Sequence, residues 1–384
     1  LNHTVYINAL ASFLPNQPVN NDEMERLLGM VQKLPSRTRR IILRNNRIRQ
    51  RYYAIDRQTG ETTHSNAQMT AEAIRQLAPE IELTPDQIEC LCCGTSTPDQ
   101  LMPGHASMVH GELGGAPCEI LSASGICGAG MGAMKYAWLS VANGQTRNAV
   151  ATGSELASSY MRARLCGGID PSKTEQLHQH PALSFEADFL RWMLSDGAGA
   201  ALLSSQPNPS RPSLRIEWID QLSYAHEFEP CMYAGADKLE DGSLRGWREH
   251  PNLAKLGTSD TLLVKQDVKL LNAQIITVAV EKALLQLAAK HRLRATDVDW
   301  FLPHYSSEFF RPHLKERMDK VGFSIDEERW FTNLHQKGNT GAASIYIILD
   351  EIFHSGRIKK GEKLLCFIPE SGRFSMCYML LTFC

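Results

Sequence analysis

Short apolar runs alternate with stretches of helical periodicity along this chain, and that rhythm constrains the fold more than any other feature of the sequence. Residues 5–11 read as a strand and 67–77 as an amphipathic helix; past the breaks at Pro79 and Pro85, residues 88–93 read as a second strand. The pattern continues with a strand near Ile120, a helix over 128–141, and strands at 149–152 and 199–203. Alternating strand and helix units predict a layered α/β architecture.

After a Ser- and Pro-rich connector at 204–212, a second series begins with a strand at 214–222. It continues with a long helix over 262–291, a strand at 299–302, helices at 306–321 and 342–353, and closing strands at 363–368 and 376–382. At 384 residues the chain is long enough for two such units. The expectation is a duplicated α/β fold with halves at 1–205 and 206–384, although no residue-level repeat accompanies it. Two stretches break the rhythm, 164–181 and 224–256, and read as insertions, where pockets and lids are usually built.

A formal net charge of −2 argues against a nucleic-acid binder. The ten cysteines lack the spacing of a disulfide framework, and several are adjacent, as in Cys90-Leu91-Cys92-Cys93; reduced thiols are expected. Neither a signal segment nor an apolar run of membrane-spanning length stands out, so the expected location is cytoplasmic, away from membranes.

Three residues carry the chemistry. Ser122-Ala123-Ser124-Gly125-Ile126-Cys127-Gly128-Ala129-Gly130 sets a cysteine among small residues at a strand-to-helix junction. Unpaired N–H groups and the positive end of the helix dipole stabilise a thiolate there. In the second half, Phe301-Leu302-Pro303-His304 places a histidine just past an apolar strand, and Gly338-Asn339-Thr340-Gly341 places an asparagine in a loop that opens a helix. A thiolate, an imidazole N–H and an amide NH₂ are the parts needed to hold an acyl group and stabilise an enolate oxygen. Singly, each has a plainer reading: Cys127 as a buried apolar side chain, His304 as a hydrogen-bonded core residue, Asn339 as a cap or turn residue.

In that order, with Ile48-Arg49-Gln50-Arg51, Gly153-Ser154-Glu155, Asp196-Gly197-Ala198-Gly199-Ala200 and Ala342-Ala343-Ser344, these residues make the chain resemble 3-oxoacyl-ACP synthase III of the thiolase superfamily nearly end to end. The resemblance implies the five-layered αβαβα thiolase fold, a homodimer, a Cys127/His304/Asn339 triad and an acyltransferase that forms carbon–carbon bonds. It implies no cofactor beyond the phosphopantetheine of an acyl carrier protein, or CoA, on which substrates arrive. Two departures fall at the expected pocket: Tyr305-Ser306-Ser307 where the family has Gln-Ala-Asn, and Glu370-Ser371-Gly372-Arg373-Phe374 where it has Gly-Gly-Gly-Phe. Tyr305, Glu370 and Arg373 are therefore expected to contact substrate.

These departures and the arginine-rich stretch 35–53 are similar to a branch that makes cyclohexane-1,3-diones for dialkylresorcinol and bacterial stilbene pathways. That similarity implies condensation of a 3-oxoacyl with a 2-enoyl thioester. Glu155 then becomes a candidate extra base, since enolising a 3-oxoacyl carbon requires a proton acceptor; its plainer reading is an ion-pair partner. Seven arginines lie between Arg37 and Arg51, of which Arg37, Arg40, Arg44 and Arg49 are expected to dock the carrier and its phosphate. Asp196 reads as a packing turn. Cys90, Cys92, Cys93, His105 and His110 lack zinc spacing, so no metal is expected. The two competing functions are decarboxylative condensation of an acyl primer with malonyl-ACP, and a non-catalytic partner subunit that binds carrier protein.

Overall fold

The computed structural model describes residues 2–30, 36, 38–81, 83–163, 188–253, 256 and 261–384. Among them, nine strands form one sheet: β1 (Tyr6–Phe13), β2 (Cys90–Thr95), β3 (Glu119–Ser124), β4 (Asn148–Glu155), β5 (Gly197–Ser204), β6 (Leu214–Ser223), β7 (Trp300–Pro303), β8 (Lys363–Glu370) and β9 (Ser375–Phe383). Their order is β7-β8-β9-β6-β1-β5-β4-β2-β3. The seam between β1 and β6 is thin, with only Tyr6↔Arg215 and Ile7↔Leu214 in register.

Outward from that seam the two sides follow one pattern. On one side β1/β5 and β5/β4 pair antiparallel, then β4/β2 and β2/β3 pair parallel. On the other, β6/β9 and β9/β8 pair antiparallel and β8/β7 parallel; a lone parallel bridge, Phe301↔Trp330, stands where a fifth strand would lie.

Among the described residues, eight α-helices of seven residues or more accompany the sheet: α1 (Arg39–Asn46), α2 (Asn66–Arg75), α3 (His105–Leu113), α4 (Gly128–Ala142), α5 (Val268–Thr277), α6 (Leu285–His291), α7 (Phe310–Lys320) and α8 (Ser344–His354). Three apolar clusters separate the layers. Met131, Met134, Ile345 and Ile348 of α4 and α8 pack with Ile7, Leu203, Cys366 and Met379 in the centre. Met69 and Ile74 of α2 with Val109 of α3 cover Leu91 and Val150 on one outer face. Leu271, Ile275, Leu287 and Leu314 cover Phe301, Phe367 and Tyr378 on the other. The result is five layers, α-β-α-β-α. Burial on both faces explains why the strands read as continuous apolar runs. It also accounts for the cysteine run: Cys90 and Cys92 face the central cluster, Leu91 and Cys93 the outer one.

The helix expected from 262 begins instead at Val268, because the Asp267 carboxylate accepts the Leu270 N–H and caps it. It passes through a π-helical turn, Val278–Leu284, before α6. Val264, just before the cap, lines a cavity instead of continuing the helix. The expected insertion at 164–181 lies outside the described residues. The one at 224–256 contains a small ribbon, Ala236–Lys238 with Leu244–Gly246, and a strand, Met232–Tyr233, that pairs beyond it with Lys265–Gln266. Among the described residues no helix is long and apolar enough to cross a membrane.

Candidate active site

Cys127 follows β3 and immediately precedes α4, so its thiol lies at the N-terminal end of a fifteen-residue central helix. His304 follows β7, its backbone N–H donating to the Phe367 carbonyl at 2.8 Å. Asn339 precedes α8 and is held by its backbone: its N–H donates to the Met193 carbonyl at 3.1 Å, and its carbonyl accepts from Ser195 at 2.8 Å. The three side chains line one cavity of about 880 Å³, including its mouth.

Hydrogen bonding fixes the orientation of the asparagine. Asn339 Oδ1 accepts the Gly341 N–H at 3.0 Å, leaving the NH₂ to face the cavity as donor. The His304 imidazole is buried, and burial pushes its pKa down to about 4, so it is neutral near pH 7. Burial pushes the Cys127 thiol up, and the carboxylates of Glu370 and Glu155 push it further, against the pull of its own backbone N–H. The resting pair is therefore a neutral thiol and a neutral imidazole.

Glu155, at the end of β4, is the one carboxylate lining the cavity among the described residues. Oε1 accepts the Ser96 N–H at 3.2 Å and the Ala342 N–H at 3.1 Å; Oε2 accepts the Ser96 hydroxyl at 2.6 Å and the Thr97 hydroxyl at 2.9 Å. Burial raises its pKa to about 7 in spite of all four donors. Gly341 has φ +52°, and a Cβ there would stand 2.8 Å from Glu155 Cγ, so this glycine is needed both for the turn and for the close approach.

The far wall of the cavity is apolar: Phe189, Leu190, Leu194, Leu271, Ile275, Ile276 and Phe310. Ser371 and Gln266, hydrogen-bonded at 3.2 Å, also line the cavity, with Met232 from the 224–256 stretch. Sequence reasoning missed Ser96, Thr97 and the 189–194 segment. The hydroxyl-rich end of β2 was the available signal, since β2 corresponds to the strand that carries His304.

Tyr305 lines the cavity and its hydroxyl donates to Glu308 at 3.1 Å. Glu370 and Arg373 stand elsewhere. Pro369 and Ser371 line the cavity, so strand alternation turns Glu370 to the opposite side, where it accepts the N–H groups of Ile126 and Gly128. Arg373 is exposed and donates to the Phe228 carbonyl. Arg40, Arg44 and Arg49 are exposed on and just beyond α1, while Arg37 lies outside the described residues. The Arg49 N–H donates to the His335 carbonyl at 2.8 Å, tying this stretch to the segment before Asn339. Arg51 is no part of an exposed patch: it is fully buried, donating to the Trp192 carbonyl and Asn21, and burial lowers its pKa to about 10. Asp196 is a buried anchor for the Ala54 and Ser158 N–H groups.

Residues 288–372, which include His304 and Asn339, match the profile described as 3-oxoacyl-[acyl-carrier-protein (ACP)] synthase III C terminal. A beta-ketoacyl-[acyl-carrier-protein] synthase III from Rhizorhabdus wittichii is 25% identical over 357 residues, 92% of each chain. Among solved structures, AbyA1, a tetronic acid condensing enzyme, superposes with a TM-score of 0.74 at 20% identity, covering 99% of this chain and 100% of its own. A cysteine-to-serine form of Xanthomonas campestris OleA, with lauric acid and lauroyl-CoA bound, gives 0.72 at 21% identity, with 100% of both chains covered. The chain has the thiolase fold and is a condensing enzyme of the acyltransferase type, similar to 3-oxoacyl-ACP synthase III.

Proposed function

We propose that this condensing enzyme joins a 3-oxoacyl thioester to a 2-enoyl thioester, through an acyl group carried on Cys127, to give a 2,5-disubstituted cyclohexane-1,3-dione. His304 takes the thiol proton as Cys127 attacks a thioester carbonyl, and the carrier thiol leaves with a proton. The imidazole N–H and the Asn339 NH₂ then hold the enolate oxygen of the second substrate. One bond forms when C2 of the 3-oxoacyl unit adds to C3 of the enoyl unit. The other forms when C4 attacks the enoyl thioester carbonyl and expels the thiolate. Hydrolysis of the remaining thioester and loss of CO₂ complete the ring. The thioesters supply the activation, so no resident cofactor is called for.

The observation that carries this reading is Glu155. Malonyl condensation makes its carbanion by losing CO₂, whereas a 3-oxoacyl carbon must be deprotonated; a cavity carboxylate with a pKa of about 7 suits that task at neutral pH. To act, it must release the Ser96 hydroxyl, since the Thr97 hydroxyl also accepts the Leu156 N–H at 2.8 Å and is held in place. The apolar far wall suits alkyl chains, and lauroyl-CoA in OleA is a precedent for a long acyl group in this fold. Arg40, Arg44 and Arg49 are assigned to the phosphate of the carrier or CoA. We also read the chain as two halves, 1–205 and 206–384, and as a homodimer. β3 is an edge strand, with Ile120 41%, Leu101 69% and Met102 81% exposed nearby, a surface a second copy would cover.

Product analysis tests the reaction. Incubated with 3-oxoacyl and 2-enoyl carrier-protein thioesters, the enzyme should give the dialkylcyclohexanedione mass; a 3-oxoacyl product from malonyl thioester and an acyl primer, with no dione, would replace this reading by decarboxylative condensation.

A further inference from the structure

The two parts of the sheet place one glutamate each at corresponding strand ends. Glu155 ends β4 and Glu370 ends β8, the strands that occupy the same position outward from the β1–β6 seam. Each reaches across to the N-terminal turn of the other part's central helix. Glu155 accepts the Ala342 N–H at the start of α8; Glu370 Oε2 accepts the Ile126 N–H at 3.1 Å and the Gly128 N–H at 2.8 Å at the start of α4. Each approach requires a glycine: a Cβ on Gly128 would stand 2.6 Å from Glu370 Oε2, as one on Gly341 would collide with Glu155.

Resting on the reading of Cys127 as the acyl carrier, we propose that Glu370 is a positioning residue for the nucleophile. It clamps the N–H groups on either side of Cys127, leaving the Cys127 N–H directed at the thiol and the reacting carbonyl, and its negative charge holds the thiol protonated until His304 takes the proton. Glu370 is 9% exposed, and its second oxygen has no hydrogen-bond partner among the described residues. The N–H groups that would otherwise stabilise a thiolate are thus committed to a carboxylate. The effect is a nucleophile that stays unreactive toward stray electrophiles while its turn is held in register. The direction of the thiol's shift, upward from the Glu370 charge after burial, agrees with this geometry. The other titratable groups around the pair are Glu155 from β4, His304 beyond β7 and Cys377 from β9, with Lys135 of α4 acting on Cys377.

The test measures alkylation of Cys127 by iodoacetamide against pH, located by peptide mass spectrometry, together with acyl-transfer rates, in wild type, Glu370→Gln and Glu370→Ala. Removing the charge should lower the alkylation midpoint by about one pH unit or more in both variants. Losing the clamp should slow acyl transfer about 10- to 100-fold in Glu370→Ala, and Gln, which still accepts both N–H groups, should restore at least about tenfold of that. An unmoved midpoint in Glu370→Gln overturns the electrostatic role, and equal acyl-transfer rates in Ala and Gln overturn the clamp. Failure of wild-type Cys127 to take up an acyl group would instead overturn the underlying reading, so the two failures are distinguishable.

Discussion

Replacing Glu155 with glutamine separates the two things this carboxylate does. Glutamine fills the same space and its oxygen still accepts from Ser96 and Ala342, while the Ser96 and Thr97 hydroxyls turn from donating to accepting. The loss is the charge and the basicity. Burial holds the Glu155 carboxyl at about 7 in the folded chain against an ordinary 4.5. The folded state therefore binds the proton more tightly than the unfolded chain. Stability is unaffected by this group below pH 4.5, falls as pH rises from 4.5 to 7, and stays reduced above that. The gap, at about 1.4 kcal/mol per pH unit, amounts to about 3 kcal/mol. Thermal unfolding should show the variant closest to wild type at pH 4.5 and exceeding it by a few degrees at pH 8. In the same preparation, single-turnover condensation should fall about 10²- to 10⁴-fold, while loading of Cys127 by an acyl thioester changes less than about threefold. A variant that condenses at the wild-type rate would refute Glu155 as the base. Failure to load Cys127 would show that its role is confined to holding the site together.

Three shorter expectations follow from the same geometry. Because burial holds His304 at about 4 against an ordinary 6.5, its contribution to stability is complete above pH 6.5 and is lost as pH falls toward 4; His304→Gln should flatten that part of a stability-versus-pH curve. Asn339→Ala removes the NH₂ donor and leaves the Gly341 N–H unpaired, so condensation should slow about 10²- to 10³-fold, checked by product formation from pre-acylated enzyme. Ile275→Trp at the apolar wall should depress loading of a twelve-carbon acyl group more than about tenfold relative to a four-carbon one, measured by competition between the two thioesters.

How far these sites follow from the sequence depends on what sets each one. Strand and helix positions track apolar periodicity, and the structure has strands within a few residues of each expected run because both sheet faces are covered. Cys127, His304 and Asn339 each sit at an element boundary marked by glycine or proline, and the structure gathers all three around one cavity. What sequence does not expose is direction. Glu370 belongs to the expected pocket segment, yet the period-two alternation of β8 sends its carboxylate to the other side of Cys127. Arg51 sits in an arginine run whose exposed members follow a surface helix, while its own position in a short strand buries it against the Trp192 carbonyl. The start of α5 is obscured because Val264, just before it, is apolar as part of the cavity lining, a cause that local periodicity does not distinguish from helix packing.

The most direct test of the account is intact-protein mass spectrometry of wild type and Cys127→Ala after exposure to a panel of 3-oxoacyl and 2-enoyl thioesters. The account predicts a stoichiometric mass increase equal to one acyl group, localised to the peptide containing Cys127 and absent from the alanine variant. Acylation that persists in Cys127→Ala, or dione formation by that variant at the wild-type rate, would contradict it.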